Sequence, residues 1–247
     1  MRADRKERRW GGGRRPGTSV VLVVLGVLAL TALTGCSSDD PLKRLQAAGE
    51  APALPRLSVQ QADVTDRYTV TLFPSGTDTV GVPTLDLCAA TYPSERLRIG
   101  RRQVAVVDGD QRLVLSTEAV AYRDPNATAQ AFTELRKARS ECPQEFRTSD
   151  SGDMVLTTFG PDPDASWPPP PHGVERVTYD VVMVYEDGQA AHTVASYLRR
   201  GRMLLGVYFF LQPNVAVPSV EGRTKLDEIV AVFANRLRQL PTSVVNE

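Results

Sequence analysis

Apolar and polar residues alternate along several stretches of the chain, with the two-residue period of a half-buried strand. The clearest run covers residues 177–186, where Val177, Tyr179, Val181, Met183 and Tyr185 occupy every second position. Because successive side chains of a strand point to opposite faces, we expect these five to face a hydrophobic core. A shorter apolar stretch at residues 154–159 predicts one further strand.

Three short turn sequences separate the other strand-like runs. Asp108-Gly109-Asp110 lies between residues 101–107 and 112–122, Asp187-Gly188 between 177–186 and 189–199, and Arg200-Gly201 between that run and 203–211. An Asp-Gly pair between β-rich runs is typical of a tight hairpin, since both residues tolerate positive φ. These turns predict an antiparallel sheet.

Two segments follow the period of a helix instead. The first begins with Asp124 as N-cap and Pro125 in the first turn, and Pro143 ends it. Its apolar stripe is Ala127, Ala131, Leu135, Ala138 and Cys142. The second helix is predicted over residues 219–240. Its apolar stripe is Leu226, Ile229, Val230, Phe233, Leu237 and Leu240.

Together these elements predict an α+β fold, a twisted antiparallel sheet of about five to six strands with two main helices packed on it. The folded domain is expected to span residues 67–241, which is long enough to bury a sizeable core. Residues 36–66 are rich in Ser, Asp, Ala, Pro and Gln without a sustained period. This composition predicts a flexible tether.

The first 35 residues have the pattern of a secretory signal peptide. A basic start is followed by an uncharged apolar run at residues 20–33 and by Leu33-Thr34-Gly35-Cys36. The run is short for a permanent membrane span, which needs about 20 apolar residues. Its ending resembles the lipobox of bacterial lipoproteins, and the resemblance implies that Cys36 carries the lipid. The alternative is a plain signal peptide or anchor in which Cys36 is an ordinary thiol.

Removal of the signal peptide changes the charge of the chain. Lys and Arg balance Asp and Glu at 29 each, but 7 of the basic residues and only 2 of the acidic ones precede Cys36. The mature chain therefore has a net charge of about −5. An acidic chain lacks the basic surface that neutralises phosphates, so we expect no nucleic-acid partner.

Export also determines how the cysteines are interpreted. Cys88 and Cys142 are the only cysteines that remain once Cys36 carries lipid. An oxidising compartment permits disulfides, and a Cys88–Cys142 bridge is the one internal pairing available. The alternative is two free, buried thiols.

The sequence shows no arrangement typical of catalysis or of a cofactor. His172 and His192 are the only histidines, which excludes a His-Glu-x-x-His zinc helix, and no Gly-x-Ser-x-Gly turn or phosphate-binding glycine loop is present. We therefore predict no enzyme activity, no cofactor and no metal site.

Four arginines, Arg96, Arg98, Arg101 and Arg102, lie within seven positions of this acidic chain. Guanidinium groups bind carboxylate and phosphate with two parallel hydrogen bonds, so these residues are candidates for binding a small anionic ligand from the cell envelope. The alternative is a solvated turn beside an edge strand.

The residues around the two cysteines resemble a known domain type. An early cysteine in Leu87-Cys88-Ala89-Ala90-Thr91-Tyr92-Pro93, a strand ending in Tyr122-Arg123-Asp124 and a helix ending at Cys142 are similar to the extracellular sensor domain of mycobacterial serine/threonine protein kinase H and its lipoprotein relatives. The resemblance implies a twisted antiparallel sheet with helices, a ligand-binding cleft and an actinobacterial source. It covers about residues 85–240.

These features predict a lipoprotein anchored on the extracytoplasmic face of the cell membrane, with a sensor-like domain that binds an unidentified ligand. The expected partners are the membrane, through the lipid anchor, and a small anionic envelope ligand or a membrane protein. The alternatives are a cell-envelope hydrolase and an accessory protein that docks on a membrane partner.

Overall fold

The computed structural model describes residues 53–149 and 152–246. Its strands are β1 (Thr69–Leu72), β2 (Arg98–Val107), β3 (Leu113–Tyr122), β4 (Arg147–Thr148), β5 (Met154–Phe159), β6 (Glu175–Tyr185), β7 (Ala190–Arg200) and β8 (Met203–Leu211). The helices are α1 (Pro125–Ser140), α2 (Leu226–Arg238) and α3 (Thr242–Val245). Residues 53–57 are also helical. Short 3₁₀ helices cover Gln61–Asp63, Leu87–Ala89, Pro93–Leu97 and Pro163–Ala165.

The strands form one antiparallel sheet in the order β1-β2-β3-β8-β7-β6-β5-β4. The α+β class and the three predicted hairpins, β2–β3, β6–β7 and β7–β8, are confirmed. The expected number of strands was too low, because the sheet has eight. The sequence prediction missed β1 and β4, which have only four and two residues and are mostly exposed. Strands this short show no measurable alternation, and only their pairing partners define them.

One face of the sheet packs against α2 and against the segment that precedes β1. Leu198 and Leu205 of the sheet and Phe233 of α2 are fully buried in this core. The chain around Leu57 and Val59 joins it, and the Val59 N–H donates to Thr117 Oγ1 at 2.9 Å. Residues 53–66 were expected to belong to the tether, but they form part of the folded domain.

The second long helix is shorter than predicted. It begins at Leu226 rather than at residue 219, because a tight turn precedes it in which Val220 pairs with Arg223 and Gly222 has a φ of 77°. A positive φ is incompatible with a continuing right-handed helix. The helix ends at Arg238, and Leu240 of the predicted stripe packs in the core beyond it.

The opposite face of the sheet carries α1. Asp124 caps this helix as predicted, accepting a hydrogen bond from the Ala127 N–H at 2.8 Å, and this bond lowers the pKa of the Asp124 carboxyl. Phe132 and Leu135 pack on Tyr122 and Tyr197 of the sheet. The helix ends at Ser140, so Cys142 lies just beyond it. The part of this sheet face that carries β5, β6 and the ends of β7 and β8 extends past α1 and lines the cavity described below.

Candidate ligand-binding site

A cavity of about 220 Å³ lies between the α1-bearing face of the sheet and the irregular segment of residues 83–89. We call this segment the cavity wall. The floor is largely apolar and comes from four neighbouring strands, β5 to β8. Its apolar side chains are Val155, Val181, Met183, Ala195 and Phe210. Polar groups from the floor and the wall face the same space.

The two-residue period of the strands explains how the floor is assembled. Along β7, Thr193, Ala195 and Tyr197 line the cavity, while Val194 and Leu198, at alternate positions, belong to the core under α2. Both sets are buried. The two faces of one strand therefore have separate roles, one in the core and one at the cavity.

Thr193 lies at the centre of the floor, because it pairs with Val181 of β6 on one side and Phe210 of β8 on the other. The residue is 7% exposed, and its hydroxyl makes no hydrogen bond within the protein. A buried hydroxyl without a partner costs about 1–3 kcal/mol. The Thr193 hydroxyl is therefore a polar group in the cavity whose hydrogen bonds must come from a ligand or water.

Glu118 is a buried carboxylate on the β3 side of the cavity, 2% exposed. Oε1 accepts hydrogen bonds from the Arg101 guanidinium and from Thr84 Oγ1, the latter at 2.8 Å. Oε2 accepts only a longer bond, 3.3 Å, from the Tyr208 hydroxyl. Burial raises the pKa of Glu118 to about 7, although Arg101 and Thr84 act in the opposite direction.

The predicted arginine cluster divides into separate environments. Arg98 and Arg101 are buried and point to the same face, because a β-bulge between Arg98 and Gly100 shifts the register by one residue. Arg98 donates to Thr84 Oγ1 and to the carbonyls of residues 79 and 82, and Arg101 donates to Ser75 O at 2.9 Å. Both guanidinium groups therefore anchor residues 75–84 to the sheet.

The other two arginines lie apart from this pair. Arg96 is exposed on a 3₁₀ helix. Arg102 points to the α2 face, where it lines a different groove with Arg56 and Val59. The structure thus does not bring the four arginines to one place, and anion binding by them stays a prediction.

The disulfide between Cys88 and Cys142 is present, as predicted. It connects the cavity wall to the residue that follows α1 by two positions. Cys88 and Ala89 both have left-handed backbones, with φ of 63° and 51°, a conformation unfavourable for residues with a Cβ. The Tyr92 hydroxyl supports the same turn by donating to Leu87 O at 2.9 Å. The covalent bond therefore holds the wall in a backbone conformation that the sequence does not favour.

The two histidines do not line this cavity. His192 bonds to Asp180 Oδ1 at 2.6 Å, and His172 is exposed in the proline-rich loop. Within residues 53–149 and 152–246, no group of three or more His, Cys, Asp or Glu side chains could hold a metal ion. No helix in that part of the chain is long and apolar enough to cross a membrane. Cys36 and the predicted signal peptide lie outside the described residues.

Sequence reasoning missed Glu118 and Thr193. Glu118 could have been noticed, because a charged residue in the middle of the otherwise uncharged strand Leu113–Tyr122 is rarely buried without a specific partner. Thr193 gave no comparable signal, since threonine is common in strands.

Comparison with solved structures finds the extracellular domain of PknH from Mycobacterium tuberculosis, with 9% identity and a TM-score of 0.41, over 79% of this chain and 95% of that one. This domain is of the type that the residues around the two cysteines resemble. An uncharacterized protein from Mycobacterium smegmatis is also similar, with 12% identity and a TM-score of 0.32, over 71% of this chain and 93% of that one. No family model and no curated protein matches the chain.

We predict that loss of the disulfide destabilises the domain by about 4 kcal/mol, since the bridge closes a loop of 54 residues. The measurement is urea unfolding of Cys88→Ser/Cys142→Ser against the wild type, each with and without reductant. Reductant should shift the midpoint of the wild type alone. Equal midpoints for all four samples would contradict the prediction.

A second prediction concerns pH. Because the pKa of Glu118 is raised to about 7 in the folded protein, the folded state binds more protons than the unfolded state between about pH 4.5 and pH 7. The Glu118 contribution to stability is therefore lost as pH rises through this window. Relative to Glu118→Gln, the free energy of unfolding of the wild type should fall as pH rises from 4.5 to 7, as urea titrations can measure. A constant difference between the two proteins would disprove the shift.

Proposed function

We propose that this protein is a lipoprotein anchored on the extracytoplasmic face of the cell membrane, and that its sensor-like domain binds a small ligand in the cavity between the sheet and residues 83–89. The ligand lies on the apolar floor and satisfies the Thr193 hydroxyl. Binding, without conversion of the ligand, is the function that this geometry supports best.

The observation that carries the proposal is the unpartnered Thr193 hydroxyl. Pockets for small molecules are mostly apolar and contain a few convergent polar groups that orient the ligand. Here Thr193 and Glu118 Oε2 both have unused hydrogen-bonding capacity, and Val181 and Phe210 flank Thr193. A cavity of about 220 Å³ is below the usual range of roughly 300–1,000 Å³ for drug-sized ligands, which indicates a small molecule.

The two ends of the cavity wall support the same conclusion. The Arg98 and Arg101 networks hold residues 75–84, and the disulfide holds Cys88. A wall fixed at both ends keeps the space open when the ligand is absent, which reduces the entropic cost of binding. A hydrolase would need a nucleophile next to a base, and both histidines lie away from this cavity.

The role of the Thr193 hydroxyl can be tested by comparing Thr193→Val with Thr117→Val, two isosteric changes in the same sheet. Thr193→Val removes an unpaired hydroxyl, so it should stabilise the ligand-free protein by about 1 kcal/mol. Thr117→Val leaves the buried Val59 N–H without its acceptor and should destabilise the protein by about 1–3 kcal/mol. Urea unfolding measures both.

Native mass spectrometry of protein purified from its own envelope then reports occupancy. The wild type and Thr117→Val should carry a bound small molecule, while Thr193→Val and the space-filling Ala195→Trp should have lost most of it. Ala190→Trp on the exposed end of the same strand serves as the control for a tryptophan substitution. A molecule retained by Ala195→Trp would place binding elsewhere on the protein.

Anchoring is tested separately, at a residue outside the described part of the chain. The Leu33-Thr34-Gly35-Cys36 sequence supports lipid attachment at Cys36. Cys36→Ala should release the protein from the membrane fraction or leave the signal peptide uncleaved, which fractionation and intact mass detect. Unchanged detergent partitioning and mass in the variant would refute attachment at this residue.

A further inference from the structure

The charged groups around the cavity define which ligands it can accept. Glu118 and Asp86 are the acidic residues at its surface. No lysine, arginine or histidine occurs among the described residues that line it. The one guanidinium next to Glu118, that of Arg101, donates to Glu118, to Ser75 O and to Gln103 Oε1, so its donors are directed to protein groups.

Acceptor capacity, in contrast, remains available. Glu118 Oε2 has a single partner, the Tyr208 hydroxyl, at the long distance of 3.3 Å. A carboxylate oxygen accepts about two hydrogen bonds, so a donor on the ligand can still bind there. Thr193, which is 7% exposed and makes no hydrogen bond within the protein, offers a further acceptor on the floor. The unpaired Thr193 hydroxyl is an observation separate from the acidic residues, and it also points to a ligand in this cavity.

Aromatic rings complete this environment. Tyr197, Tyr208 and Phe210 all line the cavity. The rings of Tyr197 and Tyr208 meet edge to face, with centroids 5.7 Å apart and planes at 81°, and so form a corner beside Glu118. Aromatic faces attract organic cations, and a carboxylate adds to this attraction. Burial, together with the negative charges of Asp86 and Glu118, raises the pKa of both Tyr197 and Tyr208.

We infer that the ligand is a small organic cation, an ammonium group on an apolar body, with the ammonium at Glu118 and the Tyr197–Tyr208 corner and the body on the floor around Val181 and Ala195. This inference rests on the proposed ligand binding and adds the chemical class of the ligand. An anion would meet two carboxylates in this cavity and no cationic partner. The anionic ligand predicted for the arginines would therefore have to bind at another place.

Three probes of nearly equal shape test the charge preference: phenethylamine, 2-phenylethanol and phenylacetate. They are titrated calorimetrically into the full-length protein in detergent, against a detergent blank, in buffer more alkaline than the Glu118 pKa of about 7. Phenethylamine should bind about tenfold or more tightly than 2-phenylethanol, and phenylacetate should not bind measurably.

Variants locate the effect. Glu118→Gln should reduce phenethylamine affinity by about tenfold and leave that of 2-phenylethanol unchanged. Because Glu118→Gln leaves Arg101 buried without its partner, Asp86→Asn provides a second test that preserves the ion pair and should weaken the amine severalfold. Ala195→Trp should abolish binding of the amine, and Ala190→Trp should not.

The inference is overturned if phenylacetate or 2-phenylethanol binds as tightly as the amine, if none of the probes binds, or if Ala195→Trp binds the amine like the wild type. Failure of this inference can be told apart from failure of the proposed function by the native mass spectrometry described above. If native mass spectrometry still finds a molecule that the wild type retains and Ala195→Trp loses, the cavity binds a ligand of another class.

Discussion

The ion pair between Glu118 and Arg101 organises the region between the sheet and the irregular chain that precedes β2. The two residues are 2% and 3% exposed, and each charge would be strongly unfavourable at this depth alone. Their remaining hydrogen bonds extend outward, from Glu118 to Thr84 and from Arg101 to Ser75 O. A segment without regular secondary structure thus acquires a defined position, because Thr84 and the Ser75 carbonyl supply hydrogen bonds to these buried charges.

The disulfide continues this constraint to the far end of the cavity wall. Beyond the charged network, the chain passes through Leu85, which is buried, to Cys88 and its bond to Cys142 after α1. Two unrelated interactions, one electrostatic and one covalent, therefore hold consecutive parts of the same segment. Side chains on a wall held in this way cannot collapse onto the floor, which explains how an unpaired hydroxyl such as that of Thr193 persists beneath it.

The two faces of the sheet differ in what they pack against. The face toward α2 contains the larger hydrophobic core, including Val194, Leu205 and Phe209. On the other face, α1 covers only part of the strands, and the uncovered part forms the cavity floor. Under the proposed function, substitutions on the cavity side would change ligand preference while the α2 core maintains the fold, because residues on opposite faces of a strand share few contacts.

Local rules were sufficient for much of the fold. The alternation around Tyr179, the Asp187-Gly188 turn and the Asp124 cap act over a few residues, so the central strands, their hairpins and α1 could be predicted from the sequence. The disulfide could be predicted as well, because Cys88 and Cys142 were the only pair left. Lipid attachment at Cys36 is likewise a prediction from a local sequence pattern, and it stays a prediction.

Tertiary structure decided the features that depend on distant partners. Strand β1 is defined by its pairing with β2, and the segment around Leu57 by its burial in the core. Arg98, Arg101 and Arg102 are close in the sequence, but the bulge after Arg98 and the alternation of β2 assign them to two faces of the sheet. Arg98 and Arg101 also donate to buried acceptors within the protein. Glu118 and Thr193 lie 75 positions apart on β3 and β7. They face one cavity because β8, the last strand in the chain, inserts between β3 and β7. Periodicity contains no information about that pairing.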